Sequence, residues 1–254
     1  MTQLILAVQG DSAQKAKRIH KATEGWVDVY KIGIDLFTHS GTHLINYFND
    51  QEAKVFLDLK FCDIPTVVAR AIESCVKLRV AMFTIHTMGG IEMMKMCVDH
   101  LNEFCIKKHI KQKPLILGVT ILTSISENDF AALWGTKSKI NMSSHITRLA
   151  SLAKKSGLDG VICSVQEIAA IKKECGENFL TVVPGIRVIP PVGVEAEVLE
   201  GINVINDDQA RADTPETASR FGADYIVVGR PIIRALDPIA VIEKIKEDIK
   251  KGNK

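Results

Sequence analysis

The segment Phe56-Leu-Asp-Leu-Lys-Phe-Cys-Asp-Ile-Pro65 sets two carboxylates and an ammonium at the end of an apolar run. On a strand, side chains two positions apart project to the same side. Asp58 and Lys60 therefore leave together from the end of residues 55–57, while Asp63 opens the turn that follows. Opposite charges about 4 Å apart at an effective dielectric near 20 attract by roughly 4 kcal/mol, so each controls the proton affinity of the other. Such a cluster suits proton transfer. An isolated D-x-K is more often a rim ion pair that helps to close a sheet. The deciding question is whether other polar residues converge on the same place.

The elements that must position these groups follow from hydrophobic patterning. Short apolar or β-branched runs at 4–8, 29–33, 55–57, 82–86, 115–120, 160–163, 180–183 and 225–228 read as eight strands. Amphipathic stretches at 12–23, 38–48, 65–78, 92–104, 143–156, 165–175, 214–221 and 238–250 read as the helices after them. Asp63 ahead of Pro65, Asp213 and Asp237 read as helix N-caps. Strand and helix alternating eight times predict an α/β chain folded as one (β/α)8 TIM barrel domain over residues 1–254, with a closed parallel sheet. A doubly wound sheet holding a dinucleotide is disfavoured, because Gln9-Gly10-Asp11 stands where a glycine-rich loop would follow the first strand. Two connections exceed the usual length: residues 123–142 after strand five, and 188–206 after strand seven, an extended loop.

Composition narrows the function classes. Lys plus Arg number 32 and Asp plus Glu 30, for a net charge of +2, so no global field recruits nucleic acid or an anionic membrane. The six cysteines show no CxxC spacing and read as reduced thiols of a cytoplasmic protein, with neither zinc nor disulfides expected. No run approaches the roughly 18 apolar residues of a membrane span, and residues 4–8 are too short for a secretory signal.

In such a barrel the C-terminal strand ends meet at one mouth, so the ending of each strand is diagnostic. Lys31 lies in strand two, Asp58 and Lys60 follow strand three, and His86 ends strand four. Thr120, Thr123 and Ser124 follow strand five, and Ser164 follows strand six. After strand seven comes Pro184-Gly185-Ile186-Arg187, and after strand eight Gly229-Arg230-Pro231. Loops seven and eight commonly hold a phosphate in this fold, with backbone amides and arginine as donors, which predicts a phosphorylated small-molecule substrate. His86 reads as a packing residue outside catalysis, and Met88, Met93, Met94 and Met96 as helix packing rather than a metal site. The lysines of 244–254 read as a solvated last helix and tail.

These residues together resemble the orotidine 5′-phosphate decarboxylase family of bacterial type. The resemblance is carried by D-x-K-x-x-D-I-P at 58–65, Lys31-Ile-Gly33, His86, Leu122-Thr-Ser124, Pro184-Gly-Ile-Arg187, Asp208-Gln209 and Val228-Gly-Arg-Pro231, in order from residue 4 to about 250. It implies a homodimer with a shared active site, no metal and no cofactor, converting orotidine 5′-monophosphate to uridine 5′-monophosphate and CO2 in pyrimidine synthesis. Carried over residue by residue, Lys60 would protonate C6 as CO2 leaves, and Asp58 would sit against the substrate carboxylate and orient Lys60. Asp63 would reach the neighbouring subunit's site, with Ile64, Pro65 and Thr66 beside it as substrate-binding positions. Lys31 would join the charged network and contact the ribose, and Thr123 and Ser124 would meet the pyrimidine. Arg187, Gln209, Gly229 and Arg230 would hold the phosphate and the closing loop.

Two features depart from the family pattern. Strand one ends Ala7-Val8-Gln9 where the family has Ala-Leu-Asp, leaving an uncharged side chain at the ribose contact, with Asp11 as a substitute only if the turn is bulged. The connection 188–207 is longer than the family's and acidic. A magnesium-dependent sugar-phosphate decarboxylase of the same superfamily shares D-x-K-x-x-D but not Ile64-Pro65. A catalytically inactive pyrimidine-nucleotide-binding protein is the alternative that Gln9 and the long loop suggest.

Overall fold

The computed structural model describes residues 1–134, 141–188 and 213–253. Eight strands form a closed, all-parallel barrel in sequence order: β1 (Gln3–Val8), β2 (Val29–Gly33), β3 (Val55–Phe61), β4 (Met82–His86), β5 (Leu115–Val119), β6 (Gly160–Ile162), β7 (Leu180–Val183) and β8 (Tyr225–Val228), which pairs back onto β1. The helices between them are α1 (Ala13–Thr23), α2 (Ile34–Asp50), α3 (Pro65–Lys77), α4 (Gly90–Lys107), α5 (Glu127–Trp134), α6 (Met142–Lys155), α7 (Val165–Cys175), α8 (Pro215–Arg220), α9 (Arg230–Ile233) and α10 (Pro238–Gly252). Among the described residues, no helix is long and apolar enough to cross a membrane.

Alternation along each strand makes two cores. Ile5, Ala7, Val29, Phe56, Met82, Leu117, Val182 and Val227 fill the barrel interior, while their sequence neighbours, such as Leu4, Leu6, Tyr30 and Leu57, pack outward against the helices. Two residues beyond an interior position, the next side chain faces the interior one layer nearer the mouth. Register Ala7↔Lys31 and Gly33↔Asp58 therefore delivers Lys31 and Asp58 to the upper layer.

The opposite end is closed by a repeated device. Just before β2, β6 and β8, an aspartate accepts a backbone N–H of the strand preceding it: Asp28 from Leu4 at 2.8 Å, Asp159 from Ile116 at 2.7 Å and Asp224 from Thr181 at 2.7 Å. Asp224 also pairs with buried Lys172 at 2.7 Å, whose ammonium donates further to the carbonyls of Glu177 and Phe179. Polar groups at this rim are satisfied internally and serve stability.

Strands β6 and β7 come together at Gly160, where a Cβ would stand 2.3 Å from the Leu180 carbonyl oxygen. Because the obstacle is backbone, the strands themselves would have to move. Gly160→Ala is expected to destabilise the barrel by about 1–3 kcal/mol, lowering Tm by roughly 3–10 °C in a thermal melt. An unchanged Tm would contradict this packing.

Several boundaries differ from the sequence-based expectations. β3 continues to Phe61, four residues past its expected end at 57, because a register shift between Leu57 and Phe61 keeps it on β4. Helix α2 begins at Ile34 rather than at 38 and is interrupted at Gly41, whose φ of 59° breaks the helical backbone. Asp63 is not the N-cap of α3: Pro65 takes the first helical position, so the cap falls on Ile64, and Asp63 accepts the Ile64 N–H at 2.6 Å instead. Thr214, not Asp213, caps α8, whereas Asp237 caps α10 as expected. The connection 123–142 contains α5, and a 3-10 turn (Thr87–Gly89) and α9 also lie outside the expected elements. Residues 189–206 of the extended loop lie outside the described residues; on either side of the longer gap, Ile186 and Asp213 form a parallel bridge, with Arg187 N–H donating to Asp213 O at 2.8 Å.

Candidate active site

The upper interior layer of β2 and β3 holds one bonded cluster. Lys31 Nζ donates to Asp58 Oδ2 at 3.0 Å, and Lys60 Nζ donates to Asp58 Oδ1 at 2.9 Å. Asp58 is buried at 8% exposure, whereas the Lys60 side chain keeps 38%, so one carboxylate under the floor holds two cations at the edge of the mouth. Burial pushes the Asp58 carboxyl up, and the fields and hydrogen bonds of Lys31 and Lys60 outweigh it, leaving its pKa at about 2. The cluster thus carries a fixed negative charge and two positive ones at neutral pH.

This has a consequence for stability. The carboxyl binds its proton less tightly in the folded chain than at its ordinary value of 3.8, so its contribution is complete above about pH 4 and is lost as pH falls toward 2. The difference amounts to on the order of 2 kcal/mol. Urea unfolding at neutral pH and near pH 2.5 should show a smaller acid-induced loss for Asp58→Asn than for the unsubstituted chain. Equal losses would contradict the assignment.

The geometry is not that of a plain strand. Lys60 has φ 52°, a left-handed backbone rare for a side-chain-bearing residue, inside the register shift of β3. Its N–H donates to Thr84 Oγ1 at 2.9 Å, and the Thr84 hydroxyl donates to Asp58 Oδ1 at 3.0 Å. Thr84 is not among the candidates that the sequence singles out. Its signal was present as a polar residue between Met82 and His86 at strand period, which aims it inward in the apolar run of β4. His86, two residues on, accepts the Met88 N–H at Nδ1, and burial, with the Lys60 charge, holds its pKa below the usual range.

The other expected residues that the structure describes occupy the same rim without joining this cluster. Asp63 is exposed between β3 and α3 together with Cys62 and Ile64; Thr66 is exposed and Pro65 half-buried in the first turn of α3. Thr123 is buried and Ser124 exposed after β5. Arg187 follows β7, Gly229 caps α9 and Arg230 is its first residue. Gln209 lies outside the described residues. Gln9 is exposed on the seam of β1 and β8, where a Cβ on Gly229 would come 3.8 Å from its amide carbon, and it makes no hydrogen bond to Lys31, Asp58 or Lys60. Asp11 does not replace the expected carboxylate, because it turns outward to pair with Lys15 at 2.8 Å on α1.

Two polar strand ends are structural. Thr120, fully buried, donates to Ile162 O at 2.9 Å, and Ser164 gives both its N–H and its hydroxyl to the buried Glu167 carboxylate at the start of α7. Among the described residues, no group of three or more His, Cys, Asp or Glu side chains is placed to hold a metal ion.

The parallel (β/α)8 barrel carries a Lys–Asp–Lys cluster inside its C-terminal mouth and arginines after β7 and β8, an arrangement of the barrel-enzyme class that can move a proton beside an anion. Residues 2–245 match the family model "Orotidine 5'-phosphate decarboxylase / HUMPS family", and the chain belongs to that family. It is 40% identical over 228 residues to the orotidine 5'-phosphate decarboxylase of Syntrophus aciditrophicus, covering 90% of this chain and 84% of that one. It is 38% identical over 247 residues to that of Legionella pneumophila strain Corby, covering 97% and 99% respectively. The crystal structure of orotidine 5'-phosphate decarboxylase from Lactobacillus acidophilus superposes with a TM-score of 0.78 at 32% identity, covering 98% of this chain and 99% of that one.

Proposed function

We propose that the protein is an orotidine 5′-phosphate decarboxylase, a carboxy-lyase that converts orotidine 5′-monophosphate to uridine 5′-monophosphate and CO2. The observation that carries this reading is the Lys60 ammonium held 2.9 Å from a buried carboxylate at the mouth, where an electron pair released at C6 would need a cation and a proton. In the reaction the bond from C6 to the carboxylate carbon breaks, its electrons remain on C6, and CO2 leaves. A proton moves from Lys60 Nζ to C6, and solvent returns one to the amine. Asp58 stays ionised and fixes the ammonium. Its charge also faces the substrate carboxylate, a repulsion relieved as CO2 departs. Lys31 balances Asp58 and contacts the ribose.

The remaining roles follow the family pattern. Thr123 and Ser124 bind the pyrimidine, while Arg187, Gly229, Arg230 and Gln209, the last lying three positions beyond the extended loop 188–206, hold the phosphate. That remote grip is suited to driving closure and to placing C6 against Lys60. Gln9 at the seam beside Gly229 offers an uncharged contact where the family has a carboxylate.

The working form in this reading is a homodimer in the cytoplasm. Ile34, Ile64, Met88, Ile91 and Leu122 are exposed just after β2, β3, β4 and β5, at the same end of the barrel as exposed Asp63, and a second copy covering them would bring Asp63, Ile64, Pro65 and Thr66 to its site. None of the six cysteines forms a disulfide and five are buried, which suits a reducing compartment. No cofactor or metal takes part, since Lys60 supplies both charge and proton.

The test is the loss of orotidine absorbance with purified protein in a metal chelator. Turnover at full rate supports the reading. Loss of activity in the chelator, or activity on a sugar phosphate instead, would favour the magnesium-dependent relative. Binding of uridine 5′-monophosphate without turnover would favour a non-catalytic binder.

A further inference from the structure

We propose that Thr84 is a positioning residue for the decarboxylation, its hydroxyl holding the main chain of Lys60 with a lone pair and the Asp58 carboxylate with its proton. For the role of Lys60 this rests on the decarboxylase reading above; the rest stands on geometry.

Strands β3 and β4 pair at Phe56↔Met82 and Leu57↔Phe83 and meet again only at Phe61↔Ile85, so β3 spends four residues where β4 spends two. An unbroken ladder would give the Lys60 N–H a carbonyl of β4. The bulge removes that acceptor, and Thr84 Oγ1 takes its place at 2.9 Å. A hydroxyl has one proton to give, and an ionised carboxylate can only accept, so the proton of Thr84 points at Asp58 Oδ1, 3.0 Å away. Asp58 Oδ1 receives the Lys60 ammonium as well. Thr84 therefore grips Lys60 at both ends, directly at the backbone and through Asp58 at Nζ. It is fully buried, so no water competes for either bond.

The left-handed φ of Lys60 gives this grip its purpose. A strand with ordinary alternation would send residue 60 inward from a height two residues above Asp58; the bulge folds it back so that its ammonium meets the same carboxylate. Such a conformation persists only where surrounding contacts over-determine it, and the Thr84 hydroxyl is the side-chain contact to the Lys60 main chain. Removing it should misplace the proton donor and leave the phosphate grip on β7 and β8 intact.

The experiment compares the full chain with Thr84→Val, which keeps shape and loses the hydroxyl, and with Thr84→Ser, which restores it. For Thr84→Val, kcat on orotidine 5′-monophosphate should fall roughly 10- to 100-fold with KM within about threefold, and Thr84→Ser should recover kcat to within about threefold. Amide hydrogen exchange at Lys60 should quicken by about tenfold or more in Thr84→Val and stay native in Thr84→Ser. Unchanged kcat in Thr84→Val, an equal loss in Thr84→Ser, or unchanged exchange at Lys60 would each overturn the proposal. Absence of turnover in the unsubstituted chain would refute the decarboxylase reading instead, and the Lys60 exchange rates would still decide whether Thr84 holds that backbone.

Discussion

Replacing Lys60 by alanine should leave a folded barrel that decarboxylates orotidine 5′-monophosphate at least about 10⁴-fold more slowly in kcat/KM. The magnitude combines two losses: a positioned proton donor contributes roughly 10²–10⁴-fold, and a preplaced charge at a developing anion a further 10²–10³-fold. Folding should survive, because Asp58 keeps Lys31 at 3.0 Å and the Thr84 hydroxyl, and because the Lys60 side chain already reaches solvent. The measurement is a kcat/KM determination beside a thermal melt. A variant within tenfold of the unsubstituted chain would remove Lys60 from the chemistry, and a collapsed Tm would show that it serves the fold.

Asp58→Ala should damage both activity and stability. Asp58 is the one acceptor shared by two ammonium groups, so its removal leaves Lys31 and Lys60 facing each other with no counter-charge. Breaking a buried pair on one side costs about 3–5 kcal/mol. The lower end applies here, because Lys60 can turn toward water. Lys60 would then lose its fixed orientation, and kcat should drop by at least about 10³-fold, on the scale of a misplaced acid and a lost electrostatic contact together. Urea unfolding and steady-state kinetics on the same preparations check both. A destabilised variant that keeps its kcat would make Asp58 a structural residue only, and Asp58→Asn, which preserves shape, would separate charge from packing.

The barrel was legible because its strands are buried on both faces and read as apolar runs, while the helices between them read at a different period. All eight runs became strands, and Tyr225–Val228 and Leu180–Val183 hold to the residue. The end of β3 was not legible. Pattern reading stops the strand where apolar residues stop, but the pairing that extends it to Phe61 depends on a bulge, and the bulge depends on Thr84, a residue 24 positions beyond Lys60 that only folding brings beside it. The same gap explains Asp63. Asp63 ahead of Pro65 reads as the cap, and the proline at the first helical position moves the cap one residue along. The charged pair at 58 and 60 could be foreseen from spacing, and Lys31 from its place in strand two. That Thr120 and Ser164 merely satisfy backbone and helix-start groups could not, since a polar strand end looks the same in sequence whether it faces a substrate or a neighbouring carbonyl.

The most direct test of the site is a crystal structure of the protein with uridine 5′-monophosphate. The phosphate should sit against Arg187, Gly229 and Arg230, with C6 of the pyrimidine about 3–3.5 Å from Lys60 Nζ and Asp58 behind it. A nucleotide bound with its phosphate away from those loops, or with C6 out of reach of Lys60, would contradict the assignment of this cluster as the decarboxylation site.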